Sequence, residues 1–222
     1  ITYGDWSSDV CSSDLQRVGE FFAMFAAKPL GADFHIGLAP AEFPHVSSVV
    51  PPPAMPWDAN QLDPNSVLFK TITGPTNQFE YSWTEAWRRA DIGAANGHGN
   101  ARSVARIKSA VACGGAVGGV PLLSPKTIRR IFEVQSDGID LVLGLRLKIG
   151  LGYGLPWPEV LPFVPEGRVC FGSGAGGSLV LVDADRRLTV AYVMNRIATY
   201  PNMVIGPIAA ALLERVYEIV KR

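Results

Sequence analysis

Glycine, serine and histidine are where this sequence could do chemistry. Residues 172–177 read Gly-Ser-Gly-Ala-Gly-Gly. Glycines weaken a strand unless something must approach its backbone closely. A bare strand edge presents N–H groups, which suit a substrate carbonyl or a developing oxyanion. A bulge or close strand packing is the structural alternative, and glycine content alone favours it. Ser173 is not the nucleophile of a Gly-x-Ser-x-Gly elbow, because it sits second in a strand-like run and not at a strand-to-helix turn. The histidines are His35, His45 and His98, and no cluster has metal-ligand spacing. Asp183 and Asp185 fall in a hairpin turn, where solvation of the turn accounts for them. Neither Gly-Leu-Gly-Tyr-Gly (150–154, after Ile149) nor the 172–177 run leads into a helix start, so neither is a dinucleotide fingerprint. No metal and no cofactor is implied.

The elements that must position these residues follow from periodicity. Val18, Phe21, Phe22 and Phe25 have helical spacing and predict a core-facing helix over 17–28, stopped by Pro29. Eight prolines between 40 and 75 predict an extended or irregular excursion without persistent helix. Asn100 opens a helix carrying Val104, Ile107 and Val111, which ends at the glycines after Cys113. Ser124 and Pro125 open another, with Ile128, Ile131 and Phe132 inward. The period then changes to two. Leu145, Leu147 and Ile149 alternate with Arg146 and Lys148, and residues 167–172, 177–183 and 188–195 read as further strands. Ile208, Leu212, Val216 and Ile219 form the stripe of a closing helix. Helices first, then consecutive antiparallel strands, then a helix to cover them is α+β organisation.

Composition limits the function classes. The 222 residues are 48% apolar and 18% charged, enough for a core. Lys+Arg and Asp+Glu both number 20, so no basic field marks a nucleic-acid or anionic-membrane partner. No apolar run approaches the ~20 residues of a membrane span. Cys11, Cys113 and Cys170 do not make a disulfide framework, and the last two read as small buried hydrophobes.

Several separated stretches carry a resemblance. They are Pro29–Leu38, Ala86–Gly99 continuing to Pro125, Gly150–Leu155, and Cys170–Arg196 with the final helix. Together they resemble the C-terminal half of serine β-lactamase-related hydrolases, above all the class C-like carboxylesterases of family VIII, over about residues 16–222. The resemblance implies a partial β-lactamase/transpeptidase-like fold, an antiparallel sheet with flanking helices. It implies a small-molecule ester or lactam substrate and a serine acyl-enzyme. A Ser-x-x-Lys serine would attack, with its lysine and a tyrosine moving protons. In such enzymes a strand with Lys-Thr-Gly, Trp-Gly-Gly or His-Gly-Gly flanks the nucleophile. Gly172, Ser173 and Gly174 take that place here, and Ala175 would lend its N–H to the oxyanion. His98 would sit in a loop near the cleft, a structural loop histidine being the alternative. The esterase branch is often cytoplasmic.

The departures are specific. No Ser-x-x-Lys occurs; Ser124 has Thr127 at that offset. Tyr200-Pro201-Asn202 matches Tyr-x-Asn as a string but follows the Gly-Ser-Gly strand instead of preceding it, so it is a decoy. Gly172 replaces a lysine, histidine or tryptophan. The helix at 17–28 resembles the family's helix just after the tyrosine motif, which places the nucleophile, lysine and tyrosine before residue 16. Residues 5–15, Asp-Trp-Ser-Ser-Asp-Val-Cys-Ser-Ser-Asp-Leu, resemble a translated sequencing adapter, so residues 1–15 are expected to be a leader without fold. The expectation is a fragment, inactive alone, poorly soluble or partly ordered, with a bare sheet edge and bare apolar helix faces. A non-catalytic binding or scaffold domain reusing the fold is the alternative.

Overall fold

Pro29 does not stop the first helix. In the computed structural model, which describes residues 16–52, 61–74, 79–174, 176–198 and 204–220, α1 (Val18–Phe22) runs on through a π turn (Ala23–Ala27) and a last turn (Lys28–Leu30). The wider turn re-routes the ladder around the N–H that proline lacks. Gly31, at φ 58°, ends the helix instead. Ala32 N–H bonds the Ala27 carbonyl at 2.8 Å and Gly31 N–H that of Lys28 at 3.0 Å, a Schellman cap. The inward face also differs from the expected one. Ala27 and Leu30 are buried, whereas Phe21, Met24 and Phe25 are exposed. Close approach decides this: a Cβ on Gly19 would collide with the Ile36 carbonyl, so small residues face the neighbouring strand.

That neighbour is β1 (Phe34–Ile36). A 3-10 turn (Pro40–His45), α2 (Val67–Ile72), a second 3-10 turn (Phe79–Trp83) and α3 (Glu85–Arg89) follow. α2 corrects the expectation of no persistent helix between 40 and 75. Residues 65–74 hold no proline, and the Ser66 hydroxyl caps the helix by accepting the Phe69 N–H at 3.1 Å. β2 (Gly97–Gly99) then pairs antiparallel with β1.

α4 (Ala101–Ala112) starts as expected, the Asn100 side chain accepting from Ser103 N–H at 2.9 Å. After the small hairpin of β3 (Ala116–Val117) and β4 (Val120–Pro121), α5 (Pro125–Ile131) opens with Ser124 accepting from Thr127 N–H at 3.1 Å.

The antiparallel strands are β5 (Ser136–Ile139), β6 (Arg146–Ile149), β7 (Val169–Ser173), β8 (Leu179–Asp183) and β9 (Leu188–Tyr192), and α6 (Pro207–Val220) closes the chain. β5 pairs with β6, and β7, β8 and β9 pair in order. A single residue, Gly154, joins the two groups by bridging both Ile149 and Phe171.

Period two puts alternate residues on opposite faces. Val169, Phe171, Leu179 and Leu181 pack with Trp157, Leu161 and the Ala209, Leu213 and Tyr217 of α6. Cys170, Val180 and Val182 pack with Val111 and Ala112 of α4 and Ile128 and Ile131 of α5. β8 is therefore covered on both sides, and all five of its residues are buried. Each large apolar side chain so buried stabilises the fold by roughly 1.5–3 kcal/mol. The architecture is α+β, with helices on both faces of an antiparallel sheet.

Two further expectations are corrected. The inward stripe of α6 is Ala209, Leu213 and Tyr217, while Ile208, Leu212 and Ile219 are exposed. Asp183 is not solvated in a turn; it is fully buried at the end of β8. Cys170 is buried as expected, and that burial pushes its thiol up to about 12, with Lys108 pulling slightly the other way. Among the described residues, no helix is long and apolar enough to cross a membrane.

Candidate active site

The outer side of β7 changes character along its length. Gly154 and Phe171 exchange two backbone hydrogen bonds, both 2.8 Å. Backbone groups alternate in direction along a strand. The N–H and C=O of Ser173, two residues on, therefore point to the same outer side, beyond the reach of Gly154. Ala175 lies outside the described residues. Gly174 turns inward: its N–H bonds the Ser178 carbonyl at 3.0 Å, and Gly177 N–H bonds the Gly174 carbonyl at 2.9 Å. The glycines after Ser173 thus make the β7–β8 turn and do not extend a bare strand. Gly176 is needed there because a Cβ would strike Met194 and Ile197.

Gly172, Ser173 and Gly174 line a cavity of about 550 Å³ with Phe34, Trp87, Val104 and Met194 among its other walls. A Cβ on Gly172 would meet only Val180 Cγ1, at 3.5 Å, so a side chain could stand there. Its absence leaves an apolar chamber. A second chamber of about 660 Å³ shares Trp87, Gly97, Gly99 and Met194, and adds Asp33, His35, His45 and His98.

His98 lies on β2, not in a loop, directly opposite His35 of β1. The glycines flanking it are forced by Phe34, whose ring would lie 2.6 Å from a Cβ at either Gly97 or Gly99. Phe34 in turn meets Phe22 edge-on, with centroids 5.6 Å apart. Asn96 holds the turn into β2. It is buried, donates to the Trp87 carbonyl at 2.9 Å and to that of Ala90, and accepts from Ile92 N–H at 3.0 Å. Sequence reasoning missed this residue, although a polar side chain before Gly-His-Gly was the available signal. Ser103 was missed too; its hydroxyl accepts from Asp33 N–H at 3.0 Å and ties α4 to β1.

Among the described residues, the His98 Nδ1 is buried without a hydrogen-bond partner. Burial lowers the imidazole pKa; the Asn96 backbone opposes this, while Arg88 and His35 reinforce it. A histidine whose folded pKa is depressed binds its proton more readily when unfolded. Stability should hold above about pH 6.5 and fall as the pH drops below it. His98→Gln should flatten this fall in urea titrations between pH 7.5 and 5.5. An unchanged slope in the variant would refute the assignment.

Several groups are accounted for without catalysis. Ser124 caps α5 and its Oγ lies 2.9 Å from Thr127 Oγ1. His45 contacts Glu42 at 3.3 Å and His35 contacts Asp33 at 3.1 Å, both exposed pairs. Among the described residues, no group of three His, Cys, Asp or Glu could hold a metal. Tyr200–Asn202 lie outside the described residues. What remains is a wall: a strand end with the Ser173 backbone turned outward beside two chambers.

Comparisons with known proteins agree with one another. The beta-lactamase family model matches residues 14–215. The esterase/beta-lactamase LipL of Mycobacterium tuberculosis is 29% identical over 189 residues, covering 77% of this chain and 41% of LipL. A penicillin-binding protein homologue from Caulobacter crescentus superposes with a TM-score of 0.79 at 29% identity, over 92% of this chain and 53% of that one. A family VIII carboxylesterase superposes equally well, with a TM-score of 0.79 at 27% identity, over 94% and 53%. The chain spans about half the length of these relatives.

Proposed function

We propose, from the premise that the chain belongs to the beta-lactamase family, that it is the oxyanion-side half of a serine hydrolase. The parent substrate is a carboxylic ester and, as a lesser activity, a β-lactam. In the parent reaction a serine Oγ, supplied from outside this chain, attacks the acyl carbon. The C–O bond breaks, the alcohol leaves with a proton, and water then releases the acid from the acyl-enzyme. The contribution of this chain is the strand end at Gly172–Ala175. By the family resemblance Ala175 would lend its N–H to the developing oxyanion, and the open site at Gly172 leaves room for the substrate. The observation that supports this reading is the outward direction of the Ser173 backbone, beside the cavity that Gly172, Ser173 and Gly174 line. One oxyanion donor of this kind is worth about 10²–10³ in kcat.

The chain has no Ser-x-x-Lys, so it should not turn over alone. Hydrolysis of p-nitrophenyl butyrate by the purified chain should match the buffer rate, whereas a full-length relative clears it. An acyl-enzyme burst from this chain would overturn the proposal. The missing motif equally favours a second reading, a non-catalytic binding or scaffold domain. Genomic sequence across the 15/16 junction distinguishes the two, because an upstream Ser-x-x-Lys in the same frame belongs only to the hydrolase.

A further inference from the structure

Most glycines that line the chamber of about 550 Å³ are required by the fold. Phe34 forces Gly97 and Gly99, Met194 and Ile197 force Gly176, and Gly174 makes the β7–β8 turn. Gly172 has no such reason. It lies within β7, paired with Val180, and its φ is not positive. A Cβ there would meet only Val180 Cγ1, at 3.5 Å. Glycine inside a strand costs stability, through backbone entropy and a missing side chain. What it leaves here is space.

Alternation gives that space its position. Gly172 shares a face of β7 with Cys170, the face toward α4. Cys170, Val180 and Val182 fill the layer between sheet and helix with Val111, and Val104 packs against them. At Gly172 this layer opens into the chamber, with Val104 and Val180 on its walls. The floor is therefore made by α4, β7 and β8, all of them within this chain. Charge separates the chamber from its neighbour. Among the described residues, no Asp, Glu, Lys, Arg or His lines it. Asp33, His35, Glu42, His45 and His98 line the second chamber instead, and Trp87 and Met194 are common to both. An ion in the first chamber would lose its hydration without gaining a partner, whereas methylene groups gain by burial. We propose that this chamber seats an uncharged apolar arm of the substrate ester, and that Gly172 determines which arm lengths it accepts. That the ligand is an ester rests on the hydrolase reading above; the depth of the chamber does not.

The test is a titration of the full chain, labelled at its methionine methyls. One series is methyl butyrate, hexanoate and octanoate; the other is butyl, hexyl and octyl acetate. The Met194 methyl should shift, and affinity in at least one series should rise about fourfold per methylene until the chamber is full. The methyl of Met24, exposed on another helix, should not shift. Octanoate should bind roughly tenfold less tightly than its methyl ester. Gly172→Leu should remove the length dependence with the circular dichroism spectrum unchanged, and Val104→Phe should do so from the α4 side. Affinity that is flat with length in both series, equal shifts at Met24 and Met194, or a length dependence that survives both substitutions would overturn the proposal. The hydrolase reading fails separately. Length-dependent binding that Gly172→Leu removes, with no upstream Ser-x-x-Lys in frame, keeps the chamber and removes the hydrolase; flat binding with that motif present does the reverse.

Discussion

Asp183→Ala should lower the unfolding free energy by about 3–5 kcal/mol, the range for removing one partner of a buried charged pair. The carboxylate is fully buried. Its Oδ1 accepts the Arg186 backbone N–H at 2.9 Å, and its Oδ2 accepts Arg186 Nη1 at 3.1 Å and Tyr217 Oη at 3.0 Å. These bonds join the end of β8, the β8–β9 turn and the last helix, so one substitution strands donors on two elements, the turn and the helix. For a chain of this size the loss corresponds to a melting temperature lower by roughly 6–20 °C. Tyr217→Phe should lose less, about 1–3 kcal/mol, because Arg186 still satisfies the acid. The same contact gives an alkaline signature. Burial first, then the Asp183 charge and hydrogen bond, push the Tyr217 phenol pKa up. A raised folded pKa means the native state holds its proton longer than the unfolded chain. Stability should therefore be intact below about pH 10 and fall as the pH rises past it. Tyr217→Phe should abolish that alkaline fall while costing stability at pH 7. Equal alkaline slopes in the two proteins would refute the role assigned to Tyr217.

Asp183 also shows where sequence reasoning stops. It looks like any acid at a turn, and only the arrival of Tyr217 from 34 residues away gives it a partner. Strands β6 to β9 were legible because alternation is local, and α4 and α5 because their caps lie beside their first turns. α1 and α6 were legible as helices but not in orientation. Both are apolar on more than one face, so Phe21 and Ile208 looked as inward as Ala27 and Ala209. Periodicity cannot choose between two apolar stripes when the choice depends on the size of the gap they fill. The candidate site divides in the same way. The Gly-Ser-Gly run was legible as the end of a strand, but glycine content alone favoured a structural role, and its reading as a site came from the family resemblance. His98 was placed in a loop because its strand exists only through pairing with His35, 63 positions earlier in the chain.

Gly154→Ala should damage the site wall through the strand that carries it. An added Cβ would lie 2.7 and 3.0 Å from the Phe171 ring. That ring is buried, with the Trp157 ring centroid 6.5 Å from its own, so it has no room to withdraw. Overpacking of this kind costs about 1–3 kcal/mol. The damage should be directional, because Gly154 is the residue that joins β6 to β7. Tyr153 next to it is clamped by Lys108 of α4, whose Nζ donates to the phenol oxygen at 2.9 Å and lies 4.7 Å from the ring centroid. The backbone before Gly154 therefore cannot slide away to relieve the clash. The outer edge of β7 should open instead, and the Phe171 and Gly154 amides should lose protection from exchange before the β7–β8 amides do. Gly138→Ala is the control: nothing lies within 4 Å of a Cβ there, so that change should be neutral or stabilise β5 by about 0.5–1 kcal/mol. Phe171→Leu placed on Gly154→Ala should recover part of the loss, since the two sites share one volume and their effects cannot add. Additive losses in that double variant would mean the ring and the glycine do not compete for the same space, and the account of how β7 is held at the site would fail.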